Sequence, residues 1–355
     1  MRVARSVASP RAVLCPPAST AVARHGATPW PIFRKHRSSI ALALAVCFAV
    51  LVGAELAFFR SGFFISHFSL SNPDFPMGKV ALAERMPDAR VLYVGDSTIL
   101  TGIAPAVVTD ACRCGPGLNG AFGASTPWLT AAMTRHLLAI EHPELVVIGV
   151  SPWSADAGAQ FADSELAHEV LSPADLTALG QSNDLPQTIQ ARLGDVWSAY
   201  GQRILLKEWA ASLVPHQRYD MAERGFFAYP GTFTSSAQLV AAVGHLVPDL
   251  ATEPTPTAPG LTVTGELIDD LRGRGIEVAI VVPPLHPFAY EQVGTYLDRA
   301  DAVVRAFAVA HGATLIDCRA SVGPADFRDL VHLGEAGALK QSRCIGEQLA
   351  GWARH

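Results

Sequence analysis

Four nearly continuous apolar runs mark the chain: 91–94 (VLYV), 145–150 (LVVIGV), 276–282 (IEVAIVV) and 313–317 (ATLID). Such runs lack the polar alternation of a half-exposed strand and predict strands buried on both faces, as in the middle of a parallel sheet. Between them the apolar spacing turns helical. It predicts helices over 105–111, 127–140, 263–274 and 288–311, and one from about residue 334 to the C-terminus. Strand alternating with helix predicts an α/β fold, a three-layer α/β/α sandwich around a central parallel sheet. The pattern breaks over about 154–260. Ser172-Pro173-Ala174-Asp175 has the form of a capped helix start, residues 186–213 are helically periodic, and 253–259 (EPTPTAP) is proline-rich. This stretch reads as a mostly helical insertion, a lid or acceptor-binding cap on the domain at 88–355.

The longest apolar run lies ahead of all of these. Residues 40–59 (IALALAVCFAVLVGAELAFF) are long enough to span a bilayer as a helix, with one charge, Glu55, near the distal end. Residues 1–39 carry seven basic side chains and no acid, are rich in Ala, Pro and Ser, and read as a disordered tail. By the positive-inside rule that tail is cytoplasmic, and everything after residue 60 is periplasmic or extracellular. The run reads as an uncleaved anchor in the cytoplasmic membrane. A cleaved signal peptide, with Val52-Gly53-Ala54 as the small-residue site, is the alternative. Residues 60–87, with Asn72-Pro73 and Phe75-Pro76, read as a juxtamembrane linker.

Charge and cysteine narrow the chemistry. Beyond residue 39 the chain has 20 basic residues against 32 acidic ones, a balance that repels phosphate backbones and argues against nucleic-acid binding. Cys112, Cys114, Cys318 and Cys344 fall in the exported part, where one or two bridges are permitted; Cys112-Arg113-Cys114 lacks the spacing of a redox or zinc motif. No P-loop, dinucleotide fingerprint or HExxH motif occurs, so the expectation is catalysis without cofactor or metal.

Two short motifs carry the chemistry. Gly95-Asp96-Ser97 follows the first strand, where a parallel sheet places its ligands. Near the other end, Asp329-Leu330-Val331-His332 sets a carboxylate three positions before an imidazole. A serine hydroxyl needs a base to take its proton, and the base works best when a third group fixes its tautomer. Ser97, His332 and Asp329 fit those roles, with Asp317 a rival to Asp329. His286, in a proline loop after a strand, is either a site-lining or a surface residue. Trp128 and Trp153 either stack on a sugar ring or pack in the core.

Together, in this order and at opposite ends of an α/β domain, the motifs resemble the SGNH (GDSL-type) hydrolases and acyltransferases, over about 89–153 and 262–350. The chain also looks like the membrane-anchored branch acting in polysaccharide O-acetylation and the D-alanyl-transfer proteins of teichoic acid modification. The resemblance implies a flavodoxin-like three-layer fold with Ser97 as nucleophile, His332 as base and Asp329 as its orienter. It implies oxyanion donors at the backbone of Ser97 and at Gly123, in the loop Asn119 to Gly123. The third block departs from the pattern: Ser151 stands where the family has an asparagine donor, and either Ser151 or Asn119 would have to substitute. The expected function is a membrane-anchored serine O-acyltransferase acting on an envelope or secreted polysaccharide, with an integral-membrane acyl-donor protein as partner by analogy. A secreted carbohydrate esterase or lipase, and a non-catalytic polysaccharide-binding subunit, are the other readings.

Overall fold

The computed structural model describes residues 32–61, 63–64, 75–156, 167–171, 193–194, 196–203, 206–207, 210, 223–228, 239–240, 242 and 253–352. The chain divides into two compact units, residues 1–51 and 52–355.

In the first unit the described structure is one helix, α1 (Ile32–Ala54), which crosses into the second unit and continues as a π-helical turn over Glu55–Phe59. Its stretch Ser39–Phe59 is long and apolar enough to cross a membrane, by length and composition.

The second unit is built on five strands: β1 (Val91–Val94), β2 (Gly117–Asn119), β3 (Leu145–Gly149), β4 (Glu277–Val281) and β5 (Thr314–Ile316). All pair in parallel, in the order β2-β1-β3-β4-β5. The apolar runs are explained by what covers them. Leu92, Val94, Val146, Ile148, Val278 and Ile280 face one layer, packed with Leu129, Met133 and Leu137 of α5 (Pro127–Leu138), Leu267, Ile268 and Leu271 of α8 (Pro259–Gly273), and Val304 and Phe307 of α9 (Pro287–Ala310). The alternate residues Val91, Tyr93, Leu145, Val147, Ala279 and Val281 face the other layer. There they meet Ile99, Leu100 and Ile103 of α3 (Ser97–Gly102) and its end, Val108 of α4 (Pro105–Cys112), and Ile345 and Leu349 of α10 (Glu335–Leu349). With both faces covered, β1, β3 and β4 need no polar side, and the period-2 signal vanishes there. The chain is an α/β fold of three layers around a five-stranded parallel sheet.

Three details were not read from the sequence. The segment expected as a linker, 60–87, holds α2 (Pro76–Arg85), whose Leu82, Ala83 and Lys79 are buried and whose Lys79 amine donates to the carbonyl of Gly225. Proline at its first position starts this helix rather than breaking it. The glycine-rich stretch after Cys112 contains edge strand β2. Gly120 there donates to the Tyr93 carbonyl. Ser97 opens a helix. Most of the expected insertion at 154–260 lies outside the described residues. Its described pieces include two short helices, α6 (Ala167–Val170) and α7 (Ser198–Gly201). Cys112 pairs with Cys114, and Cys318 with Cys344.

Candidate active site

In the order β2-β1-β3-β4-β5 the chain reverses direction of winding between β1 and β3, and ligands of such sheets bind outside the carboxyl ends of the strands at that crevice. Ser97 follows β1 there. Gly95, at φ 152°, lies in a region that favours glycine, and it lets the chain leave the strand sharply. A Cβ at Gly95 would sit 2.7 Å from Cγ1 of Ile99, and one at Gly149 of β3 would sit 2.1 Å from the same atom. Two side-chain-free positions therefore let Ile99 drop onto the sheet, which seats α3 and Ser97 at its first residue.

Asp96 caps α3 and holds the turn. Its Oδ1 accepts from the Thr98 N–H (2.9 Å) and the Thr98 hydroxyl (2.5 Å), and its Oδ2 accepts from the Ser151 hydroxyl (2.7 Å). Ser151 follows β3, so this last bond ties the two strand ends of the crevice together.

The second half of the site is a loop closed on itself. Phe327 and Leu333 pair as an antiparallel bridge, Arg328 donates to the His332 carbonyl (2.9 Å), and Gly334 donates to the Asp326 carbonyl (2.8 Å) before α10 begins. From outside, the His286 N–H donates to the Leu330 carbonyl at 2.8 Å. Within the loop, Asp329 Oδ1 accepts from the N–H groups of Val331 (2.9 Å) and His332 (2.7 Å), while its Oδ2 lies 2.8 Å from His332 Nδ1. His332 Nε2 lies 2.8 Å from Ser97 Oγ. A hydroxyl, an imidazole and a carboxylate thus stand in one hydrogen-bonded line across 235 residues of sequence. Burial alone would raise the Asp329 pKa. The His332 hydrogen bond and charge, with the two loop N–H groups, outweigh it and hold the carboxyl below its ordinary value. An ionised Asp329 facing Nδ1 favours the tautomer whose Nε2 lone pair is directed at the Ser97 hydroxyl.

The remaining candidates separate cleanly. Phe122 donates to the Gly95 carbonyl (3.4 Å), which brings the turn at Gly123 beside the Ser97 turn. Among the described residues no acceptor faces the backbone N–H of Ser97 or of Gly123. Asn119 is not an oxyanion donor: it is fully buried, its amide donates to the carbonyls of Ile99 (2.9 Å) and Ile103 (2.8 Å), and its Oδ1 accepts from Ala121. Ser151 is not one either, because its proton is committed to Asp96. Asp317 does not approach His332 as its orienter. Hydrogen bonds from Arg319, first, and from Arg305 hold it well below the usual carboxylate range, against the effect of burial. His286 caps α9, its Nδ1 accepting from the Phe288 N–H (3.1 Å), and burial pushes its pKa down. That cap and the bond to Leu330 give it a supporting task the sequence did not disclose. Trp153, partly buried, packs against Leu285, Ala289, Leu297 and Leu330, and Trp128, also partly buried, packs against the core on the α5 side. Among the described residues no group of three or more His, Cys, Asp or Glu gathers as a metal site would require.

No family model matches the chain. No curated protein matches it. Among solved structures it is similar to Est24, a carbohydrate acetylesterase from Sinorhizobium meliloti, at 14% identity and a TM-score of 0.34, over 74% of this chain and 99% of that one. A likeness of that degree does not bear on what this chain acts on.

Proposed function

We propose that the chain is a serine acyltransferase of SGNH type, anchored by Ser39–Phe59 with its folded unit outside the cytoplasm. On this reading it moves an acyl group onto a hydroxyl of an envelope or secreted polysaccharide. The observation that carries the reading is the line Asp329–His332–Ser97, with 2.8 Å at each junction, at the carboxyl end of β1.

His332 Nε2 takes the Ser97 proton as Oγ attacks an ester carbonyl, and the imidazolium is stabilised by Asp329. The tetrahedral oxyanion is held by the backbone N–H groups of Ser97 and Gly123. His332 then returns its proton to the departing alkoxide, leaving acyl-Ser97. In the second half the acceptor hydroxyl gives its proton to His332 and attacks the acyl carbonyl, and the same proton restores Ser97. With Ser151 and Asn119 engaged elsewhere, stabilisation rests on two backbone donors, where a third would contribute about 3–4 kcal/mol. Such a site needs an acceptor that is itself well placed, which favours a bound glycan hydroxyl over bulk water. The Cys318–Cys344 bridge suits an oxidising compartment, and the integral acyl-donor partner is part of the same proposal.

The test is acyl analysis of the envelope glycans from a deletion strain complemented with either the wild-type or the Ser97→Ala gene. Acylation restored by the first and not by the second supports the proposal. Restoration by both makes the chain a binding or assembly subunit. Unchanged glycan acylation in the deletion strain, with fast Ser97-dependent hydrolysis of p-nitrophenyl acetate by the pure protein, makes it an esterase.

A further inference from the structure

Glu55 is the one charge in the apolar run 40–59, and a lone carboxylate there is costly unless its lone pairs are filled. The fold fills them from far along the chain. Glu55 accepts from the backbone N–H of Ser198 (2.6 Å) and of Ala199 (3.0 Å) at the start of α7, and from Arg60 Nε (3.1 Å). Arg60 in turn donates to the carbonyl of Val196 (2.5 Å). Val196 and Trp197, whose N–H donates to the Leu193 carbonyl (2.8 Å), are thereby pinned to the last residues of the run.

Three apolar side chains on this pinned segment are exposed. Val196 is 72% exposed, Trp197 47% and Leu193 45%; Phe63, whose ring lies 5.5 Å from that of Phe58, is 44% exposed. Beyond residue 59, these are four of the seven exposed large hydrophobic side chains among the described residues. The other three, Val240, Val309 and Leu339, are scattered along the sequence, which is ordinary for a protein surface. Three within five positions, held by Arg60 three residues before Phe63, are not scattered in this way.

We propose that Leu193, Val196 and Trp197, with Phe63, form a ledge that beds in the lipid headgroup region beside the point where the span leaves the bilayer. The proposal rests on the anchored reading of Ser39–Phe59. A segment hydrogen-bonded to Glu55 and Arg60 shares the depth of the end of the span. At that depth the surroundings are lipid, and tryptophan with small aliphatic side chains is what the boundary accepts. The three donors on Glu55 neutralise the one charge that would resist the placement.

The full chain in lipid nanodiscs tests this by depth-dependent quenching. With Cys15→Ser and Cys47→Ser as background, an environment-sensitive nitrobenzoxadiazole label is placed at Val196→Cys, at Trp197→Cys and, as an exposed reference, at Val309→Cys. A fourth sample, Cys15→Ser, is labelled at native Cys47 within the span. Lipids carrying a nitroxide near the headgroup are expected to quench the labels at 196 and 197 several-fold more than the label at 309, with blue-shifted emission. Melting temperatures close to the parent show that each variant is folded, and Val196→Cys removes little packing if Trp197→Cys does not fold. Labels at 196 and 197 quenched no more than that at 309, while Cys47 is quenched by lipids labelled deep in the acyl chain, overturn the ledge and leave the anchor standing. An unquenched Cys47 overturns the anchor and the ledge with it. A blue shift at 196 that depends on protein concentration and not on the quencher overturns the proposal in favour of a second copy of this chain.

Discussion

Replacing Ser151 by alanine separates two roles that sequence position alone cannot. In the structure the Ser151 hydroxyl, 2% exposed as a residue, gives its proton to Asp96 Oδ2 at 2.7 Å. Removing it deletes one charge-assisted hydrogen bond and leaves a carboxylate oxygen of the helix cap short of a donor. Such bonds contribute about 1.5–3 kcal/mol, which for a unit of this size lowers the melting temperature by roughly 2–5 °C. The expected catalytic effect is secondary: Asp96 keeps both bonds from Thr98, so Ser97 is loosened rather than displaced, and kcat falls by less than about tenfold. If Ser151 donated to the oxyanion instead, the variant would melt like wild type and lose about 10²–10³ in kcat. The assays are thermal unfolding of the purified chain in detergent, and turnover of p-nitrophenyl acetate or, if turnover is slow, the rate of phosphonate labelling at Ser97. An unchanged melting temperature with a hundredfold slower reaction refutes the reasoning.

Further predictions come from the same geometry. Gly149→Ala puts a methyl group 2.1 Å from Ile99 Cγ1, and is expected to cost about 1–3 kcal/mol by overpacking; because α3 must lift to relieve it, labelling at Ser97 slows as well. Asp329→Asn is expected to lower kcat by about 10⁴, as loss of the tautomer-fixing carboxylate does elsewhere. Since the Asp329 carboxyl is held below its ordinary value, it stays ionised into mild acid, and the deficit persists down to about pH 5. Asp317 has a folded-state pKa below its unfolded value of about 4, so its stabilisation is present above that value and is lost as the pH falls through the folded one. Asp317→Asn should therefore destabilise at pH 7 and approach wild-type stability in strong acid, as read by pH-dependent unfolding. The Cys318–Cys344 bridge closes a loop with a sequence separation of 26 that contains both Asp329 and His332. Cys318→Ser with Cys344→Ser is expected to cost about 3 kcal/mol and to slow labelling of Ser97, measured by melting and by mass spectrometry.

The sheet was legible because its central strands β1, β3 and β4 are covered on both faces. The nearly continuous apolar runs at 91–94, 145–150, 276–282 and 313–317 leave few alternatives, and each contains a strand. Strand β2 was hidden, since Gly117-Leu118-Asn119 is three residues long and its glycine reads as loop; it is a strand only because β1 lies beside it. Helix α2 was hidden by Pro76, which signals a break in sequence and a helix start in context. Ser97, His332 and Asp329 could be proposed as partners from two short motifs, because Asp-x-x-His closes locally and the βα turn places Ser97 at the sheet's ligand edge. The partners of Ser151 and Asn119 could not be read. Both are polar residues in the right places, and only tertiary contacts reveal that Asn119 supports the carbonyls of α3 and its end while Ser151 supports Asp96.

The account turns on the proton shared by Ser97 Oγ and His332 Nε2, and an active-site fluorophosphonate reports it most directly. Intact-mass and peptide analysis of the purified chain is expected to show a single adduct on Ser97, absent in Ser97→Ala and slowed by orders of magnitude in His332→Ala. No adduct on Ser97, or equal labelling rates with and without His332, would contradict it.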